Sequence, residues 1–532
     1  MTFYDNIVVA PWLYLAVALG LVFIVSRVLK LVNGLKAVSW LPGFRLPLDQ
    51  LGPPGALIPY CWWNRGMYLT WNERFTFYQG WNSETVSSVP FLIGPPAIYT
   101  SSVEVARQIV GGGPKSAWIK TLGTTRVTSV WGDNVLSTNN PEWRKHRRIL
   151  GPAFTQTSTY VRLWSNAQRI YHEMTAFEGW DTQDEIEIPV MQKLTFRFAL
   201  NVILSLGFGV DLPWDSPPGQ GDEVTLQEAL RLYSDNVMFF VLVPKWIQRL
   251  PFPWFKKMAV SHRVISDYMH GQVTERRAEI NGGAESKSDV FSMLIQASEE
   301  DGKLSLTDSE VIGNVFSLLF AGHETTAQTF TIAIGYLGIY PDVQQEMYDE
   351  ILQVVGKDRD PVYEDFGSLQ KILALFYECV RLYPSGYIML REATEDTVLT
   401  IPNDGWAPGT RTIAIEKGTH GIVDVIGMQL NPRYFDNPSK FDPSRWYGVS
   451  SDSETISAWS IGPRTCIGRK FAFVEAVCFL TLFIRDWHVE PILRKGESTE
   501  EWRERVMVPK LMLSLGVQDV PVKLTRRTYR KP

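Results

Sequence analysis

A cysteine near the carboxyl end of the chain lies in a loop whose neighbours suit a thiolate ligand. Gly462 and Gly468 bracket Cys466, and an apolar helical stretch follows over residues 471–484. The amides and dipole at the start of a helix stabilise a thiolate, and glycines let a flat cofactor approach the backbone closely. The alternative is a buried structural cysteine, a common fate of a lone Cys. The loop therefore predicts either a thiolate that binds a flat cofactor or a packed thiol.

The remaining cysteines and the overall charge exclude several classes of protein. The chain has 532 residues, four cysteines and a net charge of −5. Scattered cysteines without a C-x-x-C pair indicate neither a disulfide framework nor a structural zinc site. The charge and the lack of Lys/Arg runs argue against a nucleic-acid partner.

A second group of reactive side chains interrupts a long apolar segment. The capping-box pattern Thr307-Asp-Ser-Glu310 predicts a helix start, and the helix can run to Tyr340, where Pro341 ends it. A helix that is apolar on all sides belongs inside the protein, where polar groups are costly unless they have a partner. The stretch Ala-Gly-His-Glu-Thr-Thr at residues 321–326 therefore indicates a functional patch on a buried helix.

Two shorter patterns each place polar groups on one face of a helix. Residues three or four apart share a helix face, and such pairs are Glu378 with Arg381 and Trp143 with Arg147. Either pattern alone is a weak signal. For the Glu–Arg pair the reason is that exposed charge pairs are common and contribute little to stability. The rest of the chain from about residue 140 has a mainly helical pattern, with strand-like pieces at 91–99 and 397–401.

These motifs, in this order, resemble those of the cytochrome P450 family over about residues 41–517. The family's haem loop is F-x-x-G-x-R-x-C-x-G, and the chain departs from its fixed positions only at Trp459, which stands for Phe. The E-x-x-R pair, the Phe441-Asp-Pro-Ser-Arg445 segment and the A-G-x-E-T-T stretch match further family motifs. The resemblance implies the cytochrome P450 fold, mainly α with small β-sheets, and the cofactor haem b (iron protoporphyrin IX).

The resemblance also implies a role for each matching residue. Cys466 is the axial ligand of the haem iron. The donors for the haem propionates are Arg464, Trp143, Arg147 and Arg391. Gly322 leaves room for dioxygen, and Glu324 and Thr325 relay protons toward it. The alternative for Thr325 is a hydrogen bond to the preceding turn of its own helix.

The N-terminal segment indicates a membrane anchor. Residues 7–25 form an apolar run close to the roughly 20 residues that cross a bilayer as a helix. Positive residues follow the run rather than precede it, which argues against a cleaved signal peptide and leaves the body cytoplasmic. We expect an anchor at 1–30, a Pro/Gly-rich spacer at 31–58 and a catalytic domain at 59–532. This organisation predicts a single-pass protein of the endoplasmic reticulum membrane.

The function implied by the resemblance is that of a monooxygenase. It inserts one oxygen atom from O2 into a lipophilic small molecule, with a terpenoid of fungal secondary metabolism as the suggested substrate. Electrons come from an NADPH–cytochrome P450 reductase, since the chain contains no nucleotide-binding module of its own. The rivals are a reductase-independent haem-thiolate isomerase or dehydratase and a non-enzymatic haem-binding membrane protein. The retained Thr325 favours the monooxygenase.

Family analogy also locates the surfaces that meet substrate and partners. Mostly apolar pocket segments are expected at 121–131, 238–243, 315–320 and 385–390. The segment 241–255 mixes aromatic and basic residues, which suits either a membrane-interface contact or core packing. Basic residues suited to docking an acidic reductase, or to forming a merely solvated face, are Arg144, Lys145, Arg148, Arg469 and Lys470.

Overall fold

A computed structural model describes most of the chain. The described residues are 5–113, 116–209, 212–214, 224–236, 239–240, 243, 245–248, 250–282, 290–299, 305–449, 457–511 and 514–527. They form two compact units, Met1–Ile119 with Ile388–Asn431 and Lys120–Tyr387 with Pro432–Pro532, here called the first and second units. Helices dominate and the strands are short, so the predicted fold class is confirmed.

The elements are numbered in chain order over the described residues. The helices are α1 (Asp5–Ala37), α2 (Pro53–Leu57), α3 (Leu69–Asn72), α4 (Val103–Val110), α5 (Leu122–Thr128), α6 (Glu142–Leu150), α7 (Thr157–Phe177), α8 (Gln192–Phe208), α9 (Leu226–Asp235), α10 (Lys245–Gln248), α11 (Pro253–Asn281), α12 (Val290–Glu299), α13 (Asp308–Ile339), α14 (Pro341–Val354), α15 (Gln370–Leu382), α16 (Val425–Gln429), α17 (Arg469–Asp486) and α18 (Thr499–Val506). The strands are β1 (Gly43–Phe44), β2 (Thr85–Ser88), β3 (Ala97–Thr100), β4 (Trp118–Ile119), β5 (Glu185–Ile188), β6 (Ile388–Ala393), β7 (Thr397–Pro402), β8 (Thr410–Ile415), β9 (His420–Asp424), β10 (Trp487–Pro491), β11 (Pro509–Leu511), β12 (Leu515–Val517) and β13 (Val522–Arg526).

The first unit is built on a six-stranded sheet of order β1-β2-β3-β9-β6-β4. Strand β3 is parallel to β9, with Tyr99 opposite Ile422, and both side chains are buried in a core that includes Phe77. The predicted strand at 397–401 is confirmed as β7. The predicted strand at 91–99 is present only at its end, as β3. Pro95 and Pro96 precede β3, and proline has no amide hydrogen to donate to a neighbouring strand.

Helix α1 is long and apolar enough to cross a bilayer. An 18-residue window within Trp12–Ala37 has a mean hydropathy of 2.3, and none of that window is buried. Its carboxyl half is attached to the first unit, because Arg27 Nη1 and Lys30 Nζ donate to the carbonyl of Leu92 at 3.0 and 3.1 Å. A Cβ on Gly34 would lie 2.5 Å from the Val89 side chain. The helix therefore continues past residue 30 and packs on the sheet unit up to its end.

The second unit is organised around helix α13. Thr307 caps it with the predicted capping box to Glu310, and Pro341 starts the next helix, so the predicted bounds are confirmed. Phe330 of α13 packs against Phe479 of α17 and Phe198 of α8, with ring centroids 4.6 and 6.1 Å apart. The buried aromatic contacts fix the three helices against one another.

Two small sheets complete the second unit. Strands β10, β13 and β5 form an antiparallel sheet, and β11 pairs with β12 as a hairpin. The hairpin contacts α13, because the amide of Val517 donates to Gln328 Oε1 at 3.1 Å. The hairpin is thereby brought to the middle of the central helix.

Candidate functional site

Cys466 is held in a tight loop that leads into α17. Its amide donates to the carbonyl of Trp459 at 2.9 Å, and the amide of Thr465 donates to Gly462 O at 3.0 Å. Gly462 has a φ of +74°, a conformation that only glycine adopts without strain. Gly468 caps the amino end of α17. These hydrogen bonds are formed by backbone groups of the loop, so none of them uses the side chain of Cys466.

Cys466 is exposed, yet enough protein surrounds its thiol to affect its pKa. All four cysteines lie in the described part of the chain; Cys466 is exposed, Cys61 is half-buried, and Cys379 and Cys478 are buried. Burial by the surrounding protein raises the pKa of the Cys466 thiol, whereas the amide of Gly468 and the charges of Arg147 and Arg469 lower it. The exposure of Cys466 favours a cysteine that binds a cofactor over the packed-thiol alternative, and the choice between the two stays a prediction.

Helix α6 supplies two of the predicted propionate donors. Trp143 is buried, and Arg147 is half-buried with its charge acting on the Cys466 thiol. The helix is fixed to α13 by an ion pair from Lys145 to Glu310 at 2.5 Å and a 2.8 Å hydrogen bond between His146 Nδ1 and Asn314 Nδ2. The position of Arg147 is therefore set by the central helix.

Arg464 joins the same neighbourhood from the cysteine loop. Its guanidinium lies 4.5 Å from the centre of the Trp143 ring and donates to the carbonyl of Thr138 at 3.0 Å. Such a cation–π contact orients both side chains. The second unit thus brings Cys466, Trp143, Arg147 and Arg464 together; that they bind haem propionates stays a prediction.

Arg391 lies on β6 in the first unit. Its side chain is 8% exposed and donates to the carbonyl of Leu390 at 2.9 Å. Burial lowers its pKa to about 10. Within the described residues it has no carboxylate partner, and a buried guanidinium without one is costly. The arginine is therefore suited to an anion supplied by a ligand.

The E-x-x-R pair forms the centre of a buried network. Arg381 donates two hydrogen bonds to Glu378, at 2.8 and 2.7 Å, and both side chains are inaccessible to solvent. Glu378 also accepts from Arg445 Nε at 3.1 Å, Trp446 Nε1 at 2.9 Å and the amide of Asp442 at 2.9 Å. The contact with Arg445 agrees with the role that the family resemblance implies, which is structural.

A short strip of α13 is open along an otherwise buried helix. Residues 311–337 are all described, and within them the partly exposed residues are Leu318, Phe320, Ala321, Gly322 and Thr325. Leu318, Ala321, Gly322 and Thr325 share one face of the helix, whereas Phe320 is turned away from it. Of these residues, Ala321, Gly322 and Thr325 belong to the predicted functional patch, which neighbouring side chains therefore cover only in part.

Gly322 permits close packing between helices. A Cβ at this position would lie 2.9 Å from Cδ1 and Cγ1 of Ile203 on α8, closer than two carbon atoms normally approach. This contact explains the glycine by helix packing, and the expected room for dioxygen stays a prediction.

The two predicted proton-relay residues have separate hydrogen-bond partners. Thr325 Oγ1 donates to the carbonyl of Ala321 at 2.8 Å, which is the alternative weighed for this residue. Glu324 is fully buried and accepts from Ser234 Oγ at 2.6 Å and from Ser514 Oγ at 2.5 Å. Burial raises the pKa of Glu324, and the two serine hydroxyls act against that shift.

The serines that hold Glu324 were not predicted from the sequence. Ser234 lies in the last turn of α9 and Ser514 lies before β12, and neither belongs to a motif. Beside them, Lys510 Nζ and Asp235 Oδ1 form a 3.2 Å ion pair near the surface. The only signal in the sequence was the need of a buried carboxylate for donors, which names no particular partner.

Comparison with known proteins identifies the family. The cytochrome P450 family model matches residues 91–516. Cytochrome P450 monooxygenase 124 of Postia placenta is 30% identical over 482 residues, covering 89% of this chain and 91% of that protein. The cyclooctat-9-en-7-ol 5-monooxygenase of Streptomyces melanosporofaciens is 26% identical, covering 69% of this chain and 75% of its own. The crystal structure of the cytochrome P450DA haem domain matches with a TM-score of 0.70 and 18% identity, covering 92% of this chain and 99% of that domain.

The fold and the site define a haem-thiolate enzyme. The chain belongs to the cytochrome P450 family and is a monooxygenase with haem b as its cofactor. The residues present fit that group, since an exposed cysteine on a loop that caps a helix and the cationic side chains around it, all in the second unit, are the donors that a haem iron and its propionates require.

Proposed function

We propose that Cys466 is the axial thiolate of the haem and that Trp143, Arg147, Arg464 and Arg391 bind its propionates. The observation that carries the proposal is the accessible Cys466 thiol, on which the charge of Arg147 acts. The cationic neighbours of Cys466 offset part of the burial that raises the pKa of its thiol, whereas a packed structural cysteine has neither exposure nor cationic neighbours. The bound haem supplies the activation of O2, and its thiolate ligand favours O–O cleavage.

The residues around Cys466 offset part of the burial that raises the pKa of its thiol, and so favour the thiolate that the iron would bind. The Gly468 amide and the amino end of α17 direct positive potential at the sulfur, and Arg147 and Arg469 add charge. The aromatic side chain of Trp459 packs against Phe473 with ring centroids 4.9 Å apart. This contact positions the carbonyl that accepts from the Cys466 amide, so the Trp-for-Phe change keeps the loop supported.

In this proposal Glu324 and Thr325 relay protons toward dioxygen. Because the pKa of Glu324 is raised, it lies closer to the working pH of the enzyme. A carboxyl group is most effective as a proton donor and acceptor when its pKa is near that pH. The neighbouring Asp235–Lys510 pair is partly exposed and connects the buried cluster with solvent. The hydroxyl oxygen of Thr325 can accept a hydrogen bond from a proton donor while its own hydrogen points to Ala321 O.

We propose a lipophilic substrate and an external electron donor. The open strip of α13 offers Leu318 and Ala321 on the same face as Thr325, a lining that favours apolar ligands. The relative from Streptomyces is named for an unsaturated cyclic alcohol, which supports a terpenoid-like substrate in secondary metabolism. Met238 and residues 241–242 of the expected pocket lie outside the described residues.

The electron donor in this proposal is an NADPH–cytochrome P450 reductase. Of the basic residues suited to docking it, Arg144, Arg148 and Lys470 are exposed. Lys145 is paired with Glu310, and Arg469 packs over Trp459 at 6.0 Å. Exposed cations near a redox centre favour an acidic partner through long-range attraction.

We further propose that α1 anchors the protein in the endoplasmic reticulum membrane as a single-pass protein, with its body on the cytoplasmic side. In this proposal the anchor ends at about residue 30, and the spacer ends and the catalytic domain begins at about residue 58. The length and hydropathy of α1 support this. In the second unit, the segment 245–255 presents Trp246, Phe252 and Trp254 with 68%, 57% and 45% of their surfaces exposed. Exposed indole rings favour a membrane interface over core packing for the residues of this segment that are described.

The test of the haem proposal is a carbon monoxide difference spectrum of the reduced, detergent-solubilised protein. We expect a strongly red-shifted Soret band that is lost in Cys466→Ser and kept in Cys61→Ser, a matched control at a half-buried cysteine. A shifted band that survives Cys466→Ser would disprove the axial assignment.

A second assay separates the monooxygenase from its rivals. NADPH-dependent oxygen uptake that requires added reductase is expected for the wild type and is expected to lose coupling to product in Thr325→Ala. Substrate conversion without reductase would instead identify an isomerase or dehydratase. Haem binding without any conversion of a terpenoid panel would favour the non-enzymatic alternative.

A further inference from the structure

Arg469 begins helix α17, three residues after Cys466. Its guanidinium lies 5.6 Å from the centre of the Phe473 ring and 6.0 Å from the centre of the Trp459 ring. Phe473 is one helical turn further along α17, so its side chain shares a helix face with that of Arg469. Trp459 supplies the carbonyl that accepts from the Cys466 amide. The arginine is therefore held against the two rings that support the cysteine loop.

The rings beside Arg469 form one packed group in the second unit. The Trp459 and Phe473 ring centroids are 4.9 Å apart, and Tyr377 of α15 packs against both, at 6.0 and 5.0 Å. A guanidinium is attracted to the faces of such rings. The rings carry no net charge, however, so they fix the position of the cation without neutralising it.

Arg469 has no carboxylate partner among the residues that the structure describes. Its Nε and Nη2 are buried and make no hydrogen bond with the described part of the chain. A buried cation is costly unless a negative charge lies nearby. The positive charge of Arg469 therefore needs an anion that the side chains of ordinary ion pairs do not supply here.

The thiolate form of Cys466 is the anion that the loop can offer. Burial raises the pKa of the Cys466 thiol, and the charge of Arg469 is one of the influences that lower it. Arg147 also acts on the thiol, but in the proposed function its charge is compensated by a haem propionate. Arg469 has no such assignment, so its charge is left for the sulfur.

We propose that Arg469 is the counter-charge of the Cys466 thiolate and that it raises the reduction potential of the bound haem. Reduction adds one electron, which the proposed reductase supplies, and a fixed positive charge nearby favours the form that carries the additional electron. The step needs neither a bond to Arg469 nor a proton from it. Arg469 acts through the sulfur, so it is a positioning residue. This inference rests on the proposed function, because it takes Cys466 as the axial thiolate.

The expected size of the effect follows from the separation of the two residues. The Cα atoms of residues three apart in a chain are at most about 10 Å apart. A unit charge at about this distance, at an effective dielectric constant of about 20, changes the equilibrium constant of reduction roughly tenfold. A tenfold change corresponds to about 59 mV for a one-electron couple.

The test is a dye-mediated redox titration of the full-length, haem-loaded protein in detergent, without reductase. Arg469→Gln and Arg469→Met remove the charge, and each is expected to lower the midpoint potential by about 59 mV, a roughly tenfold change in the equilibrium constant. Arg469→Lys keeps the charge and is expected to restore most of the wild-type potential. A role that depends on the planar shape of the guanidinium would not be rescued by lysine.

The matched control is Lys470→Gln, which removes the same charge one residue further along. Lys470 is exposed, with its Nζ 4.4 Å from the centre of the Tyr160 ring, and water and salt screen an exposed charge. We expect this variant to keep the wild-type midpoint potential. Equal shifts in Arg469→Gln and Lys470→Gln, no shift in either neutral Arg469 variant, or no recovery in Arg469→Lys overturns the proposal. Loss of haem from both neutral variants also overturns it, because the proposed role is electrostatic and not structural.

The carbon monoxide spectrum of the same samples separates this inference from the proposed function. A red-shifted band, together with one midpoint potential for the wild type and both neutral variants, disproves the role of Arg469 alone. An unshifted band in the wild type disproves the thiolate assignment, and the inference then fails with it.

Discussion

Replacing Glu378 by glutamine is expected to destabilise the second unit severely. The carboxylate accepts five hydrogen bonds from Arg381, Arg445, Trp446 and the amide of Asp442. The amide nitrogen of glutamine donates instead of accepting, so donors on that side face another donor and the buried Arg381 loses its counter-charge. Breaking a buried ion pair on one side costs about 3–5 kcal/mol. Simple addition of five charged hydrogen bonds at about 1.5–3 kcal/mol each would exceed this, but bonds in one network are not additive.

The assay is urea-induced unfolding of the detergent-solubilised protein, followed by tryptophan fluorescence and by the haem absorbance. Glu378→Gln is expected to lower the free energy of unfolding by about 3–5 kcal/mol and to reduce haem retention. Glu346→Gln serves as the control, because its ion pair with Lys371 is about 40% exposed on each side and such pairs contribute about 0–1 kcal/mol. A loss below about 1 kcal/mol for Glu378→Gln, similar to that of the control, would refute the reasoning from burial.

Three further predictions concern single positions. Gly322→Ala places a Cβ 2.9 Å from the Ile203 side chain and is expected to cost about 1–3 kcal/mol of stability. Adding Ile203→Val to this variant should recover part of the lost stability. Thermal unfolding that shows no such recovery would contradict the packing argument. Burial raises the pKa of Asp424 to about 7, so the folded chain keeps a proton that the unfolded chain releases above about pH 4. Stability is therefore lost as pH rises from about 4 to 7, by at most about 4 kcal/mol, and Asp424→Asn should flatten this pH dependence in denaturation curves. Ser234→Ala removes a hydrogen bond that lowers the pKa of Glu324, so the inflection of the turnover pH profile should move to higher pH, and an unchanged profile would exclude Glu324 from the proton path.

Local signals in the sequence predict their own surroundings well. The capping box at Thr307 and the proline at residue 341 define both ends of α13, because capping and chain termination depend on neighbours in sequence. The Cys466 loop is similar, since its glycines and the following helix lie within a few residues. These features need no knowledge of the rest of the fold.

Contacts between distant segments could not be predicted in this way. Glu324 pairs with Ser234 and Ser514, which lie 90 and 190 positions away in the chain. The pattern of α13 shows that a buried carboxylate needs donors, but many serines in the sequence could supply them. Gly322 likewise has two explanations from sequence, and only the packing of Ile203 reveals the contact that a side chain would disturb.

The attachment of α1 to the first unit has a consequence for the proposed anchor. A spanning helix tilts to match the thickness of its bilayer, and a flexible linker would let the attached protein ignore that tilt. Here Arg27 and Lys30 bond the Leu92 carbonyl, and Gly34 lies against Val89. The helix and the sheet of the first unit should therefore tilt together as one rigid body. The thickness of the bilayer then sets the tilt of α1, and with it the angle between the first unit and the lipid surface. In a thicker membrane α1 should lie closer to the bilayer normal, and the first unit should rotate with it.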